Sequence, residues 1–101
     1  MDNRKQSTML TIYNTTVPVK DQAQADRLKQ ICIDYGLPVF GYKDAFVLDN
    51  AYFNFLYFHP KDGSFSIGFF KRESHVVVGH NKTIITESEW MELLTQSQPK
   101  L

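Results

Sequence analysis

The chain has one cysteine, Cys32. That excludes an internal disulfide and any cysteine-only zinc site. Three histidines, His59, His75 and His80, show no H-x-x-x-H spacing, so no local metal motif is present. Neither sign of charge is in excess: eleven Lys and Arg balance eleven Asp and Glu. Domains built mainly on phosphate attraction carry a strong basic surplus, which is missing here. No apolar run approaches the ~20 residues of a membrane span, and no signal peptide is visible. With so little cysteine, the expected compartment is the cytoplasm. The five glycines are scattered and form no phosphate-cradling loop. Glu87, Glu89 and Glu92 gather at one helix start, where capping and the helix dipole account for the first two. No carboxylate pair stands at a spacing that points to acid–base work. The sequence therefore gives no catalytic residue, no cofactor and no metal ligand set.

What is present is an aromatic, single-domain chain. Its 101 residues suffice for one core, and 43% of them are hydrophobic, including eight Phe and five Tyr. Residues 1–7 are polar and read as a tail, residues 8–97 as the domain, and residues 98–101 as a second tail. Residues 8–19 are rich in Thr, Val, Ile and Tyr and predict a strand, limited by Pro18. Asp21 is placed to cap a helix over residues 22–35, with Ala25, Leu28, Cys32 and Tyr35 on one stripe. Gly36 and Pro38 stop it.

Short strands are expected at 39–42 and 45–48, around a Lys43-Asp44 turn. Residues 51–59 and 64–70 form a hairpin across Pro60-Lys61-Asp62-Gly63. Residues 75–79 predict a further strand, and His80-Asn81-Lys82 a turn. Thr86 and Glu89 make a capping box for a helix reaching about residue 96, with Trp90, Leu93 and Leu94 as its apolar face. The fold class is α+β: one mostly antiparallel sheet of four to five strands with two helices, in the order β-α-β-β-β-β-α.

Alternation gives the hairpin two faces. Leu56 and Phe58 share one with Phe65, Ile67 and Phe69, and this is the core face. Phe53, Phe55 and Tyr57 share the other with Ser66, Gly68 and Phe70. Two readings of that second face stay open. A helix covers it, with Ser66 and Gly68 leaving room for the rings, or it stays exposed for a partner. Lys71 and Arg72 follow Phe70 and add the one basic–aromatic cluster.

The segment 23–36 with Leu37-Pro38, the aromatic sheet over 51–78, and Ile85-Thr86-Glu87-Ser88-Glu89-Trp90-Met91-Glu92-Leu93-Leu94 together resemble the small accessory proteins of bacteriophages and prophages. The chain departs from that pattern at Leu37-Pro38, where a Trp usually follows the helix-ending glycine. The resemblance implies binding to host or phage macromolecules. Some such proteins inhibit bacterial defence, anti-CRISPR proteins among them. It implies no active site.

The expected function is a non-enzymatic protein-binding factor, in its sharpest form a phage or mobile-element inhibitor of a host defence protein. The expected contact residues are Phe53, Phe55, Tyr57, Phe70, Lys71 and Arg72. The alternative is a single-stranded nucleic-acid binder that uses the same rings and cations. A third class is a small-molecule or nucleotide binder with a pocket lined by Tyr35, Tyr42 and Trp90. A homodimer is expected through the aromatic face or through a strand edge at 75–79.

Overall fold

A computed structural model describes residues 9–41, 45–79 and 81–97. The expected tails at 1–7 and 98–101, the turn at Lys43-Asp44, and Tyr42 and His80 lie outside the described residues.

The fold is α+β. It comprises β1 (Thr15–Pro18), α1 (Gln22–Asp34), β2 (Phe53–His59), β3 (Ser64–Phe70), a π-helical turn (His75–Gly79), β4 (Thr83–Ile84) and α2 (Glu87–Ser97). The sheet order is β3-β2-β1-β4. β1–β2 and β2–β3 are antiparallel, and β1–β4 is parallel.

β1 is shorter than the composition of residues 8–19 predicts. Side chains take over the backbone before it. Asn14 Oδ1 accepts from the Thr11 amide at 2.8 Å, and Thr15 Oγ1 donates to the Thr11 carbonyl at 2.7 Å. Such local bonds compete with a ladder and hold a turn instead. Within the sheet, Thr16 Oγ1 donates to the Leu56 carbonyl at 2.6 Å.

α1 starts and stops where the local chemistry demands. Asp21 Oδ1 accepts from the Gln24 amide at 2.8 Å. At the other end Gly36 sits at φ 69°, with the Leu37 amide on Cys32 O and the Gly36 amide on Ile33 O. That is a Schellman closure, and it needs the left-handed residue that glycine supplies. α2 carries the expected box: the Glu89 amide donates to Thr86 Oγ1 at 3.1 Å, and Glu89 Oε1 accepts from the Thr86 amide at 2.9 Å.

Both helices lie on one face of the sheet, α1 against β3 and α2 against β1. The core between them includes Val17, Leu28, Cys32, Leu56, Phe65, Trp90 and Leu94. The Trp90 ring meets Phe65 edge-on at 6.3 Å between centroids. This is the predicted core face, and the hairpin register agrees with it: Leu56 pairs with Ile67 and Phe58 with Phe65.

Three expected strands take other forms. Of the strand expected at 39–42, the described residues 39–41 contribute one parallel bridge, Val39 to Phe65. At 45–48 the chain turns and drops the Phe46 ring into the core instead of extending. Residues 75–79 are a π-helical turn rather than a strand. The reason lies on the second sheet face, where Phe55, Tyr57 and Phe70 need a lid. The turn crosses that face and buries Val76 against them. A strand there would extend an edge and leave the rings wet. Gly68 sits beneath those rings. A Cβ on it would come within 2.8 Å of Tyr57 and 2.9 Å of Phe70.

Candidate functional site

The end of the hairpin away from its turn is where large rings reach solvent. The preceding loop is built by Asp49 and Asn54. Asp49 Oδ1 accepts from the Ala51 amide at 3.0 Å, a turn that aspartate favours. Asn54, almost wholly buried, accepts from the Asp49 amide at 3.0 Å and donates to the carbonyls of Asp49 and Tyr52. One buried amide thus fixes the loop that presents Tyr52 and Phe53.

Phe53 is 48% exposed, Phe69 46% and Tyr52 39%, so three rings offer much of their area to solvent at one end of the sheet. Tyr52 stacks on Phe69, with centroids 6.2 Å apart and planes 20° from parallel. Phe53 rims a groove of about 300 Å³ whose other walls include Pro18, Lys20, Asn50 and Glu73. Phe53 pairs in register with Phe70, so Lys71 and Arg72 leave the sheet at this same end. Both are exposed, and among the described residues neither meets a carboxylate.

The expected contact residues therefore divide. Phe53, Lys71 and Arg72 are exposed at the same end of the hairpin. Phe55, Tyr57 and Phe70 are not: all three are buried, packed with Val76 and flanked by Ile84. The second face is covered, by the short π-helical segment His75–Gly79 and not by α1 or α2. Burying rings of this size is worth roughly 1.5–3 kcal/mol each, which explains why the chain closes over them. Two exposed rings escaped sequence reasoning. Tyr52 precedes the strand. Phe69 alternates with the core residues Phe65 and Ile67, yet pairs with Asn54 at the sheet end, beyond the helices' cover.

The opposite end of the second face is polar and closed. His59 Nε2 lies 2.6 Å from Ser66 Oγ, and its ring is 4.0 Å from Tyr57. Lys82 is buried, and its Nζ donates to the carbonyls of Tyr13 at 2.6 Å and Phe58 at 3.0 Å. Its ammonium also stands over the Tyr57 and Phe58 rings. Burial pushes the Lys82 ammonium below the usual lysine range and the Tyr57 phenol above the usual tyrosine range. Cys32 is buried in the core, and burial pushes its thiol up to about 12. A nucleophilic cysteine needs the reverse.

The pocket expected from Tyr35, Tyr42 and Trp90 does not assemble from its described members. Trp90 is locked in the core and Tyr35 packs on its margin. A larger cavity, about 390 Å³, opens instead beside the starts of both helices, among Pro18, Lys20, Gln24, Ile84 and Glu87. Its carboxylates are engaged: Glu87 takes two bonds from Arg27, at 2.8 and 2.9 Å, and Glu89 serves the capping box. The guanidinium holds Glu87 below the usual carboxylate range, and the Thr86 bonds do the same for Glu89.

Among the described residues, no group of three or more His, Cys, Asp or Glu could hold a metal ion. None of their helices is long and apolar enough to cross a membrane. Comparison with known protein families, curated proteins and solved structures returns no match.

Proposed function

We infer that this chain is a non-enzymatic protein-binding factor whose contact surface is the open end of the hairpin. One observation carries this. Tyr52, Phe53 and Phe69 remain exposed at the hairpin end that leads into Lys71 and Arg72, which meet no carboxylate among the described residues, although Phe55, Tyr57, Phe65 and Phe70 of the same strands are buried. Aromatic residues with arginine are what interface centres favour, because they bring large area at low conformational cost.

The sharper form, an inhibitor of a host defence protein encoded by a phage or mobile element, is supported by the resemblance and not by geometry. The test pairs capture of a stoichiometric partner from the native host with a Phe53→Ser, Phe69→Ser double variant. Retention by the parent and loss by a folded variant support the surface. Equal capture by both removes it.

Stacked rings near cations that meet no carboxylate among the described residues are also a single-strand nucleic-acid platform. The balanced charge disfavours that use. Oligonucleotide binding that falls steeply with salt would establish it. A homodimer competes for the same rings, with Phe53 as the aromatic-face candidate still accessible. The other expected route, an edge at 75–79, is removed by the π-helical turn. Light scattering at high concentration reads the dimer directly.

A further inference from the structure

Among the described residues, the outer edge of β3 is paired along its first half and takes no backbone bond along its second. The Phe65 amide donates to Pro38 O at 2.9 Å, the Phe65 carbonyl accepts from Phe40 at 3.0 Å, and the Ile67 amide donates to Ala45 O at 2.8 Å. The pleat alternates, so Phe69 is the next residue whose backbone faces away from β2. Its partner in register, Asn54, turns its own carbonyl to the Val19 amide on the far side. Among the described residues nothing bonds to the Ile67 carbonyl, the Phe69 amide or the Phe69 carbonyl. Unpaired edge groups are a template for another strand unless a proline, a bulge or an inward charge blunts them. This stretch has no proline and no charge before Lys71.

We propose that this half-edge takes up an extended, carboxylate-bearing segment of a partner protein, added as a strand beside Phe69. The proposal rests on the surface reading above and names its partner's chemistry. Ile67 to Lys71 spans about 13 Å at ~3.3 Å per residue, room for four or five residues of the incoming segment. Backbone bonds supply affinity in such additions, and side-chain neighbours supply choice. Here the neighbours are the exposed Phe69 and Tyr52 rings, then Lys71 and Arg72, which lack carboxylates among the described residues. A second copy of β3 fits less well. Antiparallel pairing about Phe69 sets Lys71 and Arg72 of each copy against Ile67 and Ser66 of the other, with no carboxylate to meet them.

Random-peptide display panned on the full chain, followed by amide hydrogen exchange with a selected peptide, tests this. Selected peptides should be rich in Asp, Glu and β-branched residues, and should slow exchange at the Phe69 amide. A Lys71→Glu, Arg72→Glu double variant should weaken them by about tenfold or more. Absence of binders, binders without acidic bias, or an unprotected Phe69 amide would each overturn the added strand. The two levels separate. Peptides lost on Phe53→Ser and Phe69→Ser but leaving the Phe69 amide unprotected keep the surface and remove the strand. Peptides indifferent to all these changes remove both.

Discussion

The two faces of the sheet are closed by very different means. One is covered by α1 and α2, which bring Leu28, Cys32, Trp90 and Leu94 onto Val17, Leu56 and Phe65. The other carries Phe55, Tyr57 and Phe70 under a π-helical turn that contributes one buried residue, Val76. The Lys82 amide ties the turn to the following chain through Val76 O at 3.2 Å. Stability within a fold is uneven, and regions with few buried contacts open first. The helical face should therefore set global stability, while the π-helical side opens locally.

Mutations can break this contrast or sharpen it. Leu28→Ala removes a fully buried side chain from the helical face and should cost ~2–5 kcal/mol in urea unfolding, felt by every probe at once. Gly68→Ala forces a methyl against the Tyr57 and Phe70 rings and should cost ~1–3 kcal/mol. Its mark should be altered near-ultraviolet dichroism with unchanged helix content. Val76→Ala deletes two carbons from the lid and should cost about 1.6 kcal/mol. Hydrogen exchange should quicken at the Lys82 amide well before it does along α1. Equal acceleration in both places would show that the two faces open as one unit.

The smallest expected effect lies at the helix starts. Glu87 is held below its ordinary range by Arg27, and Glu89 by Thr86. With folded values depressed, the unfolded chain binds protons first as pH falls. Their stabilisation is thus present above about pH 4.5 and is lost below it. Glu87→Gln should cost ~0.2–1 kcal/mol at neutral pH and flatten part of the acid decline. Thermal melts between pH 3 and 7 check both.

Legibility followed the range of the interactions involved. α1 could be read almost to the residue, because Asp21, Gly36 and the stripe Ala25-Leu28-Cys32 act within a few positions of one another. The facing of the hairpin could be read from alternation and from the turn that ends at Gly63, φ 66°. The segment Val76-Val77-Val78 could not. Three β-branched residues favour a strand locally, and what decides otherwise is an aromatic face supplied by strands earlier in the chain. Contact residues divided for the same reason. Alternation puts Phe53, Phe55 and Tyr57 on one side, but where a cover ends is a tertiary fact. Lys82 carried no signal either, since the carbonyls that take its protons come from Tyr13 and Phe58.

β1 stands between the hairpin and β4 in the sheet, and its partners are far apart along the chain. Thr16 bonds Leu56 across 40 residues on one side, and on the other Thr15 and Thr16 pair with Thr83 and Ile84. The hairpin closes over a short turn and can form within roughly 1–10 μs. Insertion of β1 must instead close two long loops, so it belongs among the slow steps of folding. During synthesis β1 leaves the ribosome before either neighbour exists. At ~5–20 residues per second it waits several seconds for β4. Over that interval its Thr-Thr-Val edge is open to other strands, and a nascent-chain chaperone would find its clearest target there.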